Sequence, residues 1–316
     1  MKALYSRSFL EHIAYEDMLV AFKRYLFKLE HHRKEIAELK FHEKDFLFRA
    51  LQVFYNATGD KRFNVNRIPE LKEQLFYWVI LLHSNMTMVF DGFVPGPNKT
   101  SLTPKEKRRN KHFFYEYLQV WKNQIDSGAG PYMSIIRPAI GRKLREWRRL
   151  AYESFILEEE LEQKEIFVYA CFFTIYYHVK LFFDELPHPY LKRQINGIDV
   201  VFNIYSFVHI YNRHYIPNMN VDLGGSSMNP EIEFIDVDHL PTSILDLLER
   251  YNTRIPISSD TEYCLFTWNN SKFILWLKYK RLNETKSYGL EVRSFYKCVK
   301  ESDLIKFNNS NCLSLI

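Results

Sequence analysis

Apolar residues recur at three- and four-residue intervals along the first 160 residues, which is the spacing of amphipathic helices. Gly59 is typical of a helix end, and the segment 91–104 is rich in proline and glycine and has no periodicity. Thr103 and Pro104 suit the first positions of the helix that follows. The pattern predicts helices over residues 9–39, 43–58, 69–90, 103–125 and 137–165.

The second half of the chain alternates between apolar and polar residues, as strands do. Tyr263–Trp268 and 272–279 flank Asn269 and Asn270, so we predict a hairpin there, with a third strand over 288–299. Strict alternation predicts that one face of the third strand carries Leu290, Val292, Ser294, Tyr296 and Cys298. The opposite face would carry Glu291, Arg293, Phe295, Lys297 and Val299.

Two further signals complete the predicted fold. Asn196-Gly197 marks a turn between apolar segments, and a short helix over 241–254 has Thr242 or Ser243 as its expected cap. The fold class is therefore α+β: an all-helical N-terminal region is followed by an α+β domain with a C-terminal antiparallel β-meander. We place the helical domain at residues 1–160 and the α+β domain at residues 161–316.

The most apolar segment, 166–183, is close to the length that spans a membrane. His178 and Lys180 interrupt it, so we expect a buried element and no contact with a membrane. The first 17 residues lack the apolar core of a signal peptide. Four widely spaced cysteines without a C-x-x-C pair fit a reducing compartment, and we expect a cytoplasmic protein without a zinc site.

Composition narrows the classes of function. Only 10 glycines are present, and neither the dinucleotide-binding pattern nor the P-loop pattern occurs. The net charge of +5 permits contact with nucleic acid without requiring it. Two basic clusters, one at 105–111 and one at 137–149 that includes Arg142, Arg145 and Arg149, are either solvated helix faces or a surface for RNA, DNA or an acidic partner.

The segment 205–215 combines two histidines and an arginine with aromatic residues. As a helix it carries an apolar seam made of Ile204, Val208, Tyr211 and Tyr215. A polar stripe with four-residue spacing lies on the other side and consists of Tyr205, His209 and Arg213. His214 lies off this stripe, and the histidine spacing does not suit a helical zinc pair. The stripe is either solvent-facing or part of a site.

Metal-free RNA cleavage is a chemistry that uses such residues. The ribose 2′-hydroxyl attacks the adjacent phosphate, and histidine suits both proton transfers because it titrates near neutrality. Arginine holds phosphate through two parallel hydrogen bonds. Lys278, Lys280 and Arg293 on the predicted strands could add positive charge, and no cofactor is required.

Residues 165–300 resemble phage- and plasmid-associated members of the barnase–EndoU–colicin–RelE superfamily of metal-independent ribonucleases. The resemblance is carried by "FVHIYNRHY", residues 207–215, and by the strand segments "FILWLKYKRL" and "YGLEVRSFYKC". It implies that His209, Arg213 and His214 form the helix motif of the family. It also implies that Arg293, Ser294 and Tyr296 lie on the strand facing that helix.

These observations predict an endoribonuclease, either a toxin or a phage-defence effector, with RNA and a neutralising protein as its expected partners. The expected catalytic residues are His209, Arg213, His214, Lys278, Arg293, Ser294 and Tyr296. The expected substrate-binding residues are Tyr205, Lys280, Arg142, Arg145 and Arg149.

Three alternatives stay open. One is a structural or immunity-type interaction protein. A non-catalytic module could bind nucleic acid or protein through the basic helices. Arg24 and His31 resemble the R-x-x-x-x-x-x-H signature of HEPN-type ribonucleases, which would require a dimer. The helical first half could itself be a sensor, a substrate-recruiting arm or a toxin-neutralising region.

Overall fold

The computed structural model describes residues 4–82, 104–128, 130–154, 158–215, 235, 237–308 and 311–315. The chain forms two compact units, Met1–Asp126 and Ser127–Ile316. The class is α+β as predicted, with helices concentrated in the N-terminal part and a six-stranded mixed sheet in the C-terminal part. The expected boundary near residue 160 lies later than the division between the compact units at Asp126.

The first unit is helical in its described residues. Its helices are α1 (Arg7–Glu11), α2 (Tyr15–His31), α3 (Arg33–Glu38), α4 (Phe41–Thr58), α5 (Lys72–Leu82) and α6 (Pro104–Ser127), the last of which reaches one residue past the unit. Fully buried aromatic rings such as Tyr25, Phe76, Phe114 and Trp121 contribute to the core. Short 3-10 turns at Lys61–Phe63, Val65–Arg67 and Pro69–Leu71 connect α4 to α5.

The continuous helix predicted over 9–39 is wrong, because this segment divides into α1, α2 and α3. His32 separates α2 from α3 with φ −136° and ψ 47°, which lie outside the helical region. The predicted end of α4 is confirmed, since Gly59 adopts φ 70° in the left-handed region that glycine occupies without strain. Thr103 and residues 83–102 lie outside the described residues.

The second unit begins with two long helices, α7 (Met133–Ser154) and α8 (Glu158–Phe183). The apolar stretch Leu161–Phe183 of α8 is long enough to cross a membrane, but 83% of its most apolar window is buried inside the structure. This burial is that of the core helix of a soluble domain, and it agrees with the expected buried element.

The sheet of the second unit has the strand order β1-β2-β5-β4-β3-β6. Its strands are β1 (Tyr190–Ile195), β2 (Ile198–Asn203), β3 (Tyr263–Trp268), β4 (Ser271–Arg281), β5 (Tyr288–Lys297) and β6 (Leu313–Ser314). The predicted meander is confirmed, because β3, β4 and β5 pair antiparallel in sequence order. Parallel pairing adds β2 to β5 and β6 to β3, so the whole sheet is mixed.

Both predicted turns join antiparallel strands. Asn196 and Gly197 have φ 53° and 76° between β1 and β2, and Asn269 and Asn270 have φ 44° and 60° between β3 and β4. Positive φ at both central residues defines the two-residue turn whose twist matches that of the strands it connects.

A β-bulge in β5 makes the strict alternation predicted for this strand wrong. Trp276 pairs with Ser294 whereas Leu277 pairs with Val292, so Arg293 is the extra residue. The extra residue exchanges the faces beyond it: Ser294 lies on the same face as Glu291, and opposite to Val292. The sheet therefore turns Glu291 and Ser294 towards the same side.

One helix packs on each side of this sheet. α9 (Ile204–His214) lies on the face that carries Ser294, and its Ser206 hydroxyl donates to the Val292 carbonyl at 2.6 Å. α10 (Leu240–Asn252) lies on the other face, where Arg193 of β1 pairs with its Asp246 and Glu249. The caps expected at Thr242 or Ser243 are wrong, because α10 already begins at Leu240 with Pro241 in its first turn.

Candidate active site

The first turn of α9 is fixed by a reciprocal capping box at the end of β2. The Asn203 side chain accepts from the Ser206 backbone N–H at 3.0 Å, and the Ser206 hydroxyl accepts from the Asn203 N–H at 3.4 Å. The predicted helix 204–215 is therefore confirmed as α9, Ile204–His214. This start sets the rotation of α9 about its axis and thus the direction of the stripe Tyr205, His209 and Arg213.

Within the stripe, the rings of Tyr205 and His209 stack with centroids 5.6 Å apart and planes 21° apart. Arg213, one turn further on, is exposed at the end of the stripe and its charge acts on His209. The three residues thus form a continuous row on α9, as four-residue spacing requires.

The bulge residue Arg293 joins the strand to this row. Its guanidinium lies over the Tyr205 ring, 4.4 Å from the centroid, and Nη2 donates to the Tyr205 hydroxyl at 3.1 Å. A guanidinium over an aromatic face is attracted by the ring quadrupole. Arg293 therefore lies at the same surface as Tyr205 and His209, and the bulge turns the next residue, Ser294, to the side of the sheet that α9 covers.

Glu291 is the buried carboxylate at the base of this arrangement, and the sequence did not single it out. It is 2% exposed, pairs with Arg293, and lies 2.7 Å from Lys280. The Asn203 amide donates to it at 3.1 Å. Burial alone would raise the pKa of Glu291, but the hydrogen bonds from Lys280 and Arg293 outweigh burial and lower this pKa. Glu291 therefore stays ionised and holds two cations in place.

His209 is uncharged at neutral pH in this environment. Burial lowers its pKa to about 4, assisted by the charges of Arg213, His214, Arg293 and Arg142, in that order. A neutral imidazole surrounded by cationic groups can accept a proton, and the same cations can bind an anion. Arg142 is thereby the one of the three predicted binding arginines that acts on His209.

His214 contacts β5 at a different point from the stripe. Its Nε2 lies at hydrogen-bond distance, 3.0 Å, from the Ser294 hydroxyl, and its ring stacks on Tyr296 with centroids 4.9 Å apart. Trp276 Nε1 donates to the Tyr296 hydroxyl at 2.9 Å, and that hydroxyl donates to Asp303 at 3.0 Å. These contacts fix the end of α9 on the sheet and involve His214, Ser294 and Tyr296 in packing.

The remaining predicted site residues, Lys278 from the catalytic set and Arg145 and Arg149 from the binding set, are placed differently. Lys278 is exposed, two residues before Lys280 on the same strand, and no carboxylate in the described part of the chain pairs with it. On α7, Arg145 is exposed without an ion-pair partner among the described residues, whereas Arg149 lies 3.7 Å from Glu153. Lys278 and Arg145 thus stay available to a negatively charged ligand.

Arg24 and His31, the residues of the HEPN-type signature, are not joined to other described polar side chains in a way that resembles the row on α9. Arg24 lies over the Tyr5 ring at 5.8 Å, and the His31 ring contacts the Phe27 ring at 4.7 Å. Both are exposed on α2. Within the described residues, no group of three or more His, Cys, Asp or Glu side chains is arranged to hold a metal ion.

No family model, curated protein or solved structure matches this chain. The resemblance to metal-independent ribonucleases therefore remains an expectation from the sequence. The geometry itself defines the class of site: a neutral histidine and a tyrosine hydroxyl among arginines, suited to binding an anion and to moving a proton.

Proposed function

We propose that the chain is a metal-independent endoribonuclease that acts in the cytoplasm, as a toxin or a phage-defence effector. The observation that carries the proposal is the row of Tyr205, His209 and Arg213, with Arg293 lying over the Tyr205 ring. This row combines a proton acceptor, a hydroxyl donor and two guanidinium groups within one surface. RNA is the substrate that supplies its own nucleophile next to a phosphate.

In the proposed reaction His209 is the general base. Its neutral imidazole takes the proton of the ribose 2′-hydroxyl while the 2′-oxygen forms a bond to phosphorus. The bond between phosphorus and the 5′-oxygen breaks, which leaves a 2′,3′-cyclic phosphate. Arg213 and Arg293 stabilise the negative charge on the phosphate oxygens in the transition state.

Tyr205 is the proposed general acid. Its hydroxyl accepts from Arg293, and no acceptor in the described part of the chain takes its own proton. That proton goes to the departing 5′-oxygen, which leaves as a 5′-hydroxyl. The His209 imidazolium then returns a proton to the Tyr205 phenolate, and both groups recover their starting states.

The other residues expected at the site take supporting roles. Glu291 holds both Lys280 and Arg293, and His214, Ser294 and Tyr296 fix α9 on β5. Lys278, Arg142 and Arg145 are exposed cations that can contact the RNA backbone. Three buried free cysteines and one exposed free cysteine support a reducing compartment.

The test is RNA cleavage by the purified full chain in EDTA. We expect the wild type to cleave a single-stranded RNA and His209→Ala to lose at least about a hundredfold in rate, the usual contribution of a general base. His112→Ala is the matched control, because His112 is an exposed histidine on α6. Equal cleavage by wild type and His209→Ala would reject His209 as the base.

A non-catalytic nucleic-acid-binding protein is the second candidate. It is favoured by Arg142 and Arg145, which stand exposed on α7 without ion-pair partners among the described residues. In the same assay this candidate gives RNA binding by the wild type, no cleavage, and a loss of binding in the variant Arg142→Ala/Arg145→Ala.

A further inference from the structure

The end of the β4–β5 hairpin, residues 278–288, carries an exposed pair of tyrosines. Tyr279 is 45% exposed and Tyr288 is 64% exposed, and their ring centroids are 5.9 Å apart with planes 31° apart. The strand register pairs Arg281 with Tyr288 and Tyr279 with Leu290, so both rings lie on one face of the hairpin. This pair presents aromatic surface to solvent, beside strand positions whose side chains are buried.

The same eleven residues are strongly basic. They contain Lys278, Lys280, Arg281 and Lys286 against a single acid, Glu284. The Glu284 carboxylate accepts from the Asn203 amide at 2.6 Å and is thereby held at the start of α9. Lys278, Arg281 and Lys286 are exposed, and no described acidic side chain pairs with them. The hairpin end therefore attracts an anion rather than a basic partner.

This hairpin end is a ribbon with one open edge, on its β4 side. β3 pairs with β4 only as far as Trp276, so residues 278–281 have β5 as their only neighbour among the described strands. On the other side β2 pairs with β5 from Gly289 onward. Adjacent strands lie about 5 Å apart, so a bound chain can pass from the tyrosine face to the lysine face around one edge.

The ribbon is also held rigidly at its base. A side chain at Gly289 would place its Cβ 2.4 Å from the Asp199 carbonyl oxygen, so the hairpin approaches β2 as closely as only glycine allows. The Ser287 hydroxyl donates to Asp199 at 3.2 Å, and the Leu282 N–H donates to the Ser287 carbonyl at 2.8 Å. The two tyrosines are thus presented in a fixed arrangement before any ligand binds.

The lysine face of the ribbon, opposite to the two tyrosines, adjoins the candidate active site. Lys280 pairs with Glu291, Glu291 pairs with Arg293, and Arg293 lies over Tyr205. Single-stranded nucleic acid suits such a surface, because bases stack on aromatic rings while phosphates contact cations. A duplex fits less well, since its bases are already stacked and cannot reach the rings.

We infer that the end of the β4–β5 hairpin is a binding site for single-stranded RNA, with bases stacked on Tyr279 and Tyr288 and phosphates held by Arg281 and Lys286. This inference rests on the proposed ribonuclease function, for which it supplies the substrate class. In this account the hairpin binds the RNA that flanks the cleaved bond, and His209 and Tyr205 carry out the cleavage.

The test is binding of a fluorescent ten-nucleotide oligomer with 2′-O-methyl groups throughout, measured by anisotropy with the full chain. The oligomer cannot be cleaved by 2′-hydroxyl attack, so binding is read independently of catalysis. We expect Tyr279→Ala/Tyr288→Ala to weaken binding at least about tenfold. Tyr279→Phe/Tyr288→Phe should bind within about twofold of the wild type, because stacking uses the ring and not the hydroxyl.

Tyr152→Ala is the matched control, since Tyr152 is 87% exposed on α7 and lies outside the hairpin. Wild-type affinity of the double alanine variant would overturn the inference, as would preference for the duplex form of the oligomer or no binding by the wild type. If the wild type binds the oligomer through the two tyrosines but does not cleave RNA, the proposed catalysis alone is rejected. If the wild type cleaves RNA but the double alanine variant binds the oligomer as well as the wild type does, the hairpin site alone is rejected.

Discussion

At the scale of single residues, His209 owes its state to its surroundings. Burial and four neighbouring cationic groups, among them Arg213 and Arg293, lower its pKa to about 4. An exposed histidine has a pKa of about 6.5 and would be partly charged at neutral pH. The neutral form that a general base requires is therefore a product of burial first, and then of the same arginines that are proposed to bind phosphate.

The titration of His209 can be followed directly by NMR of its imidazole. We expect a midpoint near the depressed value of about 4 in the wild type and a higher midpoint in Arg293→Gln, because one neighbouring positive charge is removed. Arg254→Gln, a change at an exposed arginine after α10, should leave the midpoint unchanged. An unshifted midpoint in Arg293→Gln would contradict the electrostatic account.

The lowered pKa also gives a pH dependence of stability. Between about pH 6.5 and pH 4 the unfolded chain binds a proton at His209 that the folded chain does not, so stability falls as the pH drops through this window. Urea unfolding at about pH 7 and pH 5 should show a loss at pH 5 of up to about 2 kcal/mol from this residue. His209→Gln should lose correspondingly less, and an identical loss would contradict the assignment.

Glu291 is the residue whose removal should most disturb the arrangement around Arg293. Glu291→Gln keeps the shape but removes a buried charge that neutralises Lys280 and Arg293, and we expect a loss of about 2 kcal/mol in the free energy of unfolding. Glu249→Gln is the control, because Glu249 forms an exposed pair with Arg193 and should change stability by less than about 1 kcal/mol. Equal effects in urea titrations would deny Glu291 this role.

At the scale of elements, hydrophobic periodicity predicts β3, β4, β5 and α9 well. It gives β1 and β2 only as apolar segments on either side of a turn, and it does not predict β6. The bulge at Arg293 is not visible in that periodicity, since one extra residue leaves the composition of β5 unchanged while exchanging the faces beyond it. The association of Arg293 with the stripe on α9 agrees with the expected site, but its partner Glu291 was missed. A glutamate two residues before an arginine in a strand is equally typical of a solvent-facing position.

The closeness of β5 to β2 allows a prediction at the same scale. Gly289→Ala should destabilise the protein by more than about 1 kcal/mol, because the new Cβ would meet the Asp199 carbonyl oxygen and Leu282. Gly141→Ala in α7 should instead stabilise it by about 0.5–1 kcal/mol, since alanine favours the helix and the nearest atom is the flexible end of Arg145. Thermal unfolding should show a lower melting temperature for Gly289→Ala and a higher one for Gly141→Ala. A shift in the same direction for both variants would contradict the close packing described at Gly289.

At the scale of the whole molecule, composition correctly indicated a buried element at 166–183, which the structure shows to be part of the helix α8. The division into units could not be predicted as well, because helical periodicity marks an element without showing which neighbours it packs against. α7 and α8 belong to the unit that contains the sheet, so the basic helix α7 contributes Arg142 to the surroundings of His209. The role of the helical first unit does not follow from its pattern.

The chemical identity of the RNA ends after cleavage tests most directly the central claim, which is metal-independent cleavage with His209 as the general base. The full chain in EDTA is given an oligonucleotide with one ribonucleotide in a 2′-O-methyl background, and the products are identified by mass spectrometry. The account predicts cleavage at the ribonucleotide alone, with a 2′,3′-cyclic phosphate and a 5′-hydroxyl from the wild type and none from His209→Ala. Products with a 5′-phosphate, or undiminished cleavage by His209→Ala, would contradict it.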